Sequence, residues 1–244
     1  MNGLGTAVGD NLTFVVMCLV IVVITIALAY GFEKAAGKRM DETGRKERIL
    51  STRKVVMIGM FSAIAGILYC LDFALPIAPS FYKIDFSELP ALIAGFAFGP
   101  VAGVLVEFVK VLIKLLIKST STAFVGDLAN YLIGCMLVLP ASIIYCLKKN
   151  RKRAILGCVI GTLCMTVFGT AFNALYLLPA FADLYGMPLD AIIGMGTAIN
   201  AHVNGIWPFV VLLVAPLNLI KGGADSLITI LIYKKISPVI KAGR

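Results

Sequence analysis

The sequence has one histidine, His202, and one tryptophan, Trp207. A single imidazole cannot build a metal site alone. Six cysteines are present (Cys18, Cys70, Cys135, Cys146, Cys158 and Cys164), but none forms a C-x-x-C pair and all lie in or beside apolar runs. They read as small packing residues, not as zinc ligands or a disulfide framework. Charge is scarce too: 14% of the 244 residues are charged and 60% are hydrophobic, whereas a soluble domain carries about 25% and 45–50%. A soluble enzyme, a nucleic-acid-binding domain and a disordered chain are thereby excluded. There is no G-x-x-x-x-G-K-[ST], H-E-x-x-H or G-x-S-x-G, so the chain lacks a P-loop for ATP hydrolysis and the common hydrolase signatures. No close pair of carboxylates lies deep in an apolar run, and obvious inverted repeats are absent. These absences weigh against an intramembrane hydrolase and a secondary transporter.

What remains is an integral membrane protein, with mean hydropathy +0.97 and room for six or seven spans of about 20 residues. The apolar runs predict spans at 12–32, 55–75, 101–117, 128–147, 154–178 and 216–234, and a short apolar helix at 86–98. The first run has neither the positive flank nor the cleavage site of a signal peptide. Asp85 or Ser87 is placed to cap the short helix. Residues 179–215 hold Asp183, Asp190, several glycines, Pro188 and Pro208, after Pro179 at their start. They read as an extramembrane loop with a re-entrant or interfacial piece, and Pro216 then suits a first helical turn. One long helix from Ile206, kinked at Pro216, is the alternative.

Charge orients this layout. Of the 22 basic residues, eight lie in 33–54, five in 148–153 and four in the tail, and seven spans place all three segments on one face. The opposite loops hold only Lys83. The positive-inside rule then sets the N-terminus outside and the C-terminus in the cytoplasm of a multi-pass cell-membrane protein. It also accounts for the net charge of +9 without a nucleic-acid partner.

Polar residues in spans point to function, and their depth is informative. Asn173 lies near the outer end of its span. Asn218 and Lys221 lie in the first turns of a span entering from that side, so all three share one level. The loops bearing Asp72, Lys83, Asp85, Thr122 and Asp127 open on the same face. Aromatics crowd it: Phe81, Tyr82, Phe86, Phe172, Tyr176, Phe181, Tyr185 and Trp207. Apolar walls with a few placed polar groups make a small-molecule pocket. Plainer readings compete: a private Lys221–Asp225 ion pair, Asn173 as helix-packing glue, and an interfacial belt, which suits Trp207 and Tyr185 best. Glu107, Lys110, Lys114 and Lys118 form a second polar stripe, best read as self-neutralised and facing the bundle.

Five segments in order resemble a known family. They are Lys83-Ile-Asp-Phe-Ser-Glu-Leu-Pro-Ala-Leu-Ile, Phe98-Gly-Pro-Val-Ala-Gly-Val-Leu-Val-Glu107, Gly126-Asp-Leu-Ala-Asn130, Asn173-Ala-Leu-Tyr-Leu-Leu-Pro179 and Ala215-Pro-Leu-Asn-Leu-Ile-Lys-Gly222. Over roughly residues 54–238 the chain resembles the riboflavin-specific substrate-binding (S) components of energy-coupling factor (ECF) vitamin transporters, the RibU family. The resemblance implies an all-α integral membrane fold. Residues 54–244 would form the six-helix substrate-binding bundle. Residues 1–53 would form one extra N-terminal transmembrane helix and a basic cytoplasmic linker. It also implies an externally accessible vitamin pocket, no catalytic activity, and no cofactor apart from riboflavin as the transported ligand. The partners implied are a transmembrane coupling subunit and two ATPase subunits, besides membrane lipid. Three departures stand out: the extra helix, a longer stretch between Asn173 and Asn218, and Asp127 where a glutamate is more usual.

By the same resemblance, Asn173, Asn218 and Lys221 match the residues that hold the flavin ring, with Tyr176 among the aromatics beside them. The chemistry fits. An isoalloxazine edge presents carbonyls, ring nitrogens and an imide N–H, and primary amides and an ammonium can meet these. Lys83, Asp85 and Thr122 are candidates for the ribityl hydroxyls. Small residues spaced four apart, Gly59–Ala63 and Ser62–Gly66, allow close approach of the coupling subunit. An S component for another vitamin or flavin, such as FMN, stays open. A polytopic enzyme using Glu107 and Lys110, or a standalone carrier, is the distant alternative.

Overall fold

The computed structural model describes residues 12–35, 49–120 and 122–241. Most of the basic stretch 33–54 lies outside them. Helix α1 (Leu12–Ala35) is followed by α2 (Thr52–Cys70), a β1–β2 pair (Phe73–Ala74 and Lys83–Ile84), α3 (Glu88–Phe98), α4 (Pro100–Lys118) and α5 (Val125–Leu147). Next come α6 (Arg151–Phe172), α7 (Leu178–Tyr185), α8 (Leu189–Thr197), α9 (Ile206–Phe209) and α10 (Ala215–Lys241). The fold is an all-α membrane bundle; β1 and β2 pair antiparallel over two residues only, Phe73 with Ile84 and Ala74 with Lys83. Among the described residues, five helical stretches are long and apolar enough to cross a membrane: α1, α2, α5, α6 through α7, and Ile206–Ile232. Helix α4 has the length but carries Glu107, Lys110, Lys114 and Lys118.

Short α3 is the hub, packed against α2, α4, α5 and α10. Pro90 through Phe98 are all buried, because an eleven-residue apolar helix with partners on every side has no lipid-facing stripe. The long helices turn Val56, Ile67 and Val167 outward, as suits a chain solvated by hydrocarbon. Helices α5 and α6 approach closely at Gly157 and Gly161. A side chain at Gly157 would stand 2.7 Å from the Ala141 carbonyl oxygen.

Helix α1 lies on α4 and α5. Glu33 accepts a hydrogen bond from the Val101 amide at 3.1 Å, satisfying a free N–H at the start of α4 from a separate helix. Thr25 is hydrogen-bonded to Tyr131 of α5. The chain turns into α4 at Gly99, whose φ of +114° favours glycine.

Three expectations change. Helix α2 ends at Cys70, and residues 71–84 form the β pair and its loop. The stretch 179–215 is not a simple loop but holds α7, α8 and α9. The last helix starts at Ile206, so Pro216 lies inside it, as in the long-helix alternative. Two π turns explain this: Asn173–Leu177 joins α6 to α7, and Val210–Val214 joins α9 to α10. Each ends two residues before a proline, Pro179 and Pro216. The amides of Leu178 and Ala215 bond five residues back, to Asn173 and Val210. The widened turn lets the helix pass a residue with no N–H to give.

The glycine contacts yield a paired prediction. Gly157→Leu drives a side chain into backbone and lowers stability in a detergent melt by about 1–3 kcal/mol. Gly59 is exposed, and a side chain there would meet nothing within 4 Å. Gly59→Leu therefore leaves the melting temperature unchanged.

Candidate ligand-binding site

A cavity of about 140 Å³ lies at the end of the bundle remote from the basic α5–α6 turn at 148–153. The loop before α3 contributes Phe81, Tyr82 and Lys83, and α5 contributes Gly126, Ala129 and Asn130. Asn173 comes from the first π turn, and Leu217, Asn218 and Lys221 come from α10. Phe181 of α7 and Met165 of α6 add apolar wall. A second cavity of about 390 Å³ lies between α1, α4 and α5. Its walls are almost wholly apolar and no set of polar groups converges there, so the smaller, chemically furnished cavity is the candidate site.

The two asparagines meet because the backbones do. A side chain on Gly169 would stand 2.6 Å from Asn218 Nδ2, so glycine lets α10 bring Asn218 against α6 one turn from Asn173. Asn173 Nδ2 donates to the Gly169 carbonyl at 2.7 Å, and its Oδ1 accepts from the Tyr82 hydroxyl at 2.6 Å. Both polar atoms of Asn173 are therefore engaged. Asn218 Nδ2 and Asn130 Oδ1 are buried without a hydrogen-bond partner. One unmet donor and one unmet acceptor face the same space, which is costly when empty and fits a ligand edge offering both. Burial pushes the Tyr82 phenol well above its ordinary value, so it stays a proton donor.

Beneath lies a buried ion network. Lys221 Nζ is 3.0 Å from Asp85 Oδ2 and 3.0 Å from Glu88 Oε2. Glu88 Oε1 is 3.0 Å from Lys110 Nζ, which also sits 2.6 Å from Glu107 and donates to Ser87 Oγ at 2.8 Å. Lys114 pairs with Asp127 at 2.6 Å. The competing reading, a private Lys221–Asp225 pair, does not hold: the ammonium turns to Asp85 and Glu88. Glu107, Lys110 and Lys114 of the α4 stripe face the bundle as expected, whereas Lys118 is exposed at the rim; the stripe is neutralised by partners on other elements as well as by Glu107. Asp85 also accepts from the Ser87 amide at 2.9 Å, so Asp85, not the Ser87 side chain, supports the α3 terminus.

At the rim, Asp72 binds Lys118 at 2.7 Å and Lys83 at 3.2 Å. Partial burial works to raise the Asp72 carboxyl, but the hydrogen bonds from Lys118 and Lys83 outweigh it and hold it below the usual carboxylate range.

Asn173, Asn218, Lys221 and Lys83 thus share one cavity, with Asp85 directly behind Lys221. Two assignments need correction. Thr122 does not line the cavity; its Oγ1 accepts the Gly126 amide at 3.0 Å and shapes the turn into α5. Tyr176 does not line it either; its half-buried ring stacks on Phe172 with centroids 5.3 Å apart and packs against the neighbouring apolar cluster. Sequence reasoning missed Asn130 and Glu88 as cavity residues and Tyr82 as the partner of Asn173. Asn130, an amide on an apolar helix three residues after Asp127, was the available signal. On α2, Gly59 and Ala63 face outward. Ser62 and Gly66 face inward, Gly66 tight against Ile113 of α4, so this second pair serves internal packing and not a partner.

Residues 53–233 match the family model for the ECF transporter, substrate-specific component. The match begins after α1. The chain is 35% identical over 197 residues to the riboflavin transporter RibU of Staphylococcus aureus (strain TCH60), covering 81% of this chain and 97% of that one. It is 32% identical over 196 residues to the riboflavin transporter FmnP of Bacillus subtilis (strain 168), covering 80% and 97%. A solved structure of the S component of a bacterial ECF transporter superposes with a TM-score of 0.59 at 35% identity, covering 78% of this chain and 98% of that one.

The rim predicts a pH window. A depressed carboxyl stabilises its loop fully above its ordinary value of 3.8 and loses that contribution as pH falls through the lower folded value. Protection of residues 71–84 from hydrogen exchange is therefore constant from neutral pH to about 4 and declines below it. Asp72→Asn shows the faster exchange already at neutral pH.

Proposed function

The chain belongs to the substrate-specific components of ECF transporters, and from that premise we propose that it is the riboflavin-capturing subunit of an ATP-driven vitamin importer. It works as a transporter subunit, not as an enzyme. The observation that carries the ligand is the unmet pair in the cavity, the amide of Asn218 and the oxygen of Asn130, between aromatic walls. Asn218 donates to a carbonyl or ring nitrogen of the flavin edge, and Lys221 adds a second donor. Asn173, held by Tyr82, fixes the neighbouring wall and offers its remaining N–H and lone pair. Lys83, paired with Asp72, stands where a ribityl chain leaves the cavity, while Asp85 holds Lys221 at the floor.

Lys221 is matched by two carboxylates, so the cavity floor holds no spare cation and suits a neutral ring edge. At the rim Asp72 is shared between Lys83 and Lys118, so FMN, carrying its phosphate at the end of the ribityl chain, stays an alternative ligand that competition binding separates from riboflavin.

The N-terminus lies outside and the C-terminus in the cytoplasm, which opens the cavity outward. The coupling subunit takes the outward face of α2 at Gly59 and Ala63, with two ATPase subunits behind it, and the remaining faces meet lipid. Reorientation of the loaded bundle against that partner delivers the vitamin inward.

Two variants separate capture from coupling. Asn218→Ala weakens riboflavin binding about 5- to 150-fold, the effect of about 1–3 kcal/mol for an unpaired buried group, read by flavin fluorescence quenching. Unchanged affinity refutes the site. Gly59→Leu binds riboflavin normally but loses uptake in proteoliposomes holding the full complex; normal uptake removes that face from the interface.

A further inference from the structure

Asp225 takes no part in the capture of a ligand as described, yet among the described residues it is one of the least satisfied ionisable groups. It is fully buried on α10. Among the described residues neither of its carboxylate oxygens has a hydrogen-bond partner. It lies four residues beyond Lys221, where a lysine and an aspartate share a helix face. The Lys221 ammonium nevertheless points to Asp85 and Glu88, at 3.0 Å each. A carboxylate carrying its full charge in this low-dielectric setting would compete strongly for that ammonium.

The surrounding charges do not balance. Asp85 and Glu88 face Asp225 from α3 and the residues before it, Lys110 from α4, and Lys221 from α10 itself. Glu107 belongs to the same network through Lys110. Helix α6 faces this stretch with neutral groups, Thr162 and Met165. Four carboxylates thus share two ammonium groups, and all six side chains are buried. Burying an unmatched ion costs several kcal/mol even after relaxation, and a carboxylate in that position takes up a proton instead. Glu107 has Lys110 beside it; Asp225 has nothing. The neighbouring Thr229 hydroxyl, also buried, is unpartnered as well.

We propose that Asp225 is a proton-binding site whose occupancy governs the position of Lys221. With the proton bound, Asp225 is neutral and Lys221 stays with Asp85 and Glu88 at the cavity floor. Loss of the proton creates a carboxylate one turn away, which draws the ammonium down the helix and out of the cavity. The sign is fixed: the ligand-competent state is the protonated one, so affinity falls as pH rises. The consequence for affinity rests on the riboflavin reading; the proton site does not.

The test has two arms. Infrared spectroscopy of flavin-free protein in lipid nanodiscs at neutral pH reads the carbonyl stretch of a protonated carboxylic acid. A band present in wild type and missing in Asp225→Asn is expected. No Asp225-dependent band overturns the proposal, whatever the protein binds. In the second arm, wild-type riboflavin affinity drops about tenfold or more into the alkaline range, the cost of losing a charge-assisted hydrogen bond, while Asp225→Asn keeps the neutral-pH affinity throughout. A pH-independent wild type overturns the link to Lys221. A drop in affinity on replacing sodium by choline assigns the site to a metal cation and overturns the proton. Failure of Asp225→Asn to fold shows that the charge itself is needed and overturns it too.

Discussion

Everything at the ligand end of this bundle depends on one carboxylate shared by two ammonium groups. Glu88 stands at the first turn of α3, fully buried, with Lys110 of α4 on one oxygen and Lys221 of α10 on the other, at 3.0 Å each. Three helices distant in sequence are tied through it. A buried pair of this kind is weak evidence for net stability, because desolvation offsets much of the attraction. Its value is positional: a charge in the apolar interior has few places to be, so the network fixes where α3, α4 and α10 sit relative to one another. Lys221 is thereby delivered to the cavity floor as a donor whose charge is already balanced.

The backbone adds a second positioning device. Proline follows each π turn, at Pro179 and Pro216, and each turn flanks the cavity. The widened turn at 173–177 begins with Asn173, and the one at 210–214 ends four residues before Asn218. Gly169 then removes the side chain that would keep Asn218 off α6. Two irregular turns and one glycine thus set two amides side by side, and beyond the first turn α7 adds Phe181 to the cavity wall.

Much of this was legible in the sequence, and the reasons are local. Helical rise is constant, so counting residues from the span ends put Asn173, Asn218 and Lys221 at one depth. Basic residues cluster by side, so the layout of the spans followed. The rest depended on contacts between distant segments. Asp85 is 136 residues from Lys221, and a helix-spacing rule sees only Asp225, four residues away. Thr122 and Tyr176 were placed by their loop or helix end, but direction decides: one hydroxyl turns to its own backbone and one ring stacks on Phe172. Small-residue spacing on α2 could not separate the outward Gly59 and Ala63 from the inward Ser62 and Gly66. The extension of the last helix to Ile206 was visible only as an alternative, since composition does not register a π turn.

The central claim is that Lys221, held by Asp85 and Glu88, completes a flavin site. Its most direct test is the visible absorption spectrum of the protein purified from cells grown with riboflavin, beside that of Lys221→Met prepared in the same way. The predicted result is a flavin band near one equivalent per chain in the wild type, released as riboflavin on denaturation, and a strongly diminished band in the variant. A wild type that binds no flavin even when the vitamin is added, or a variant that carries as much as the wild type, contradicts it.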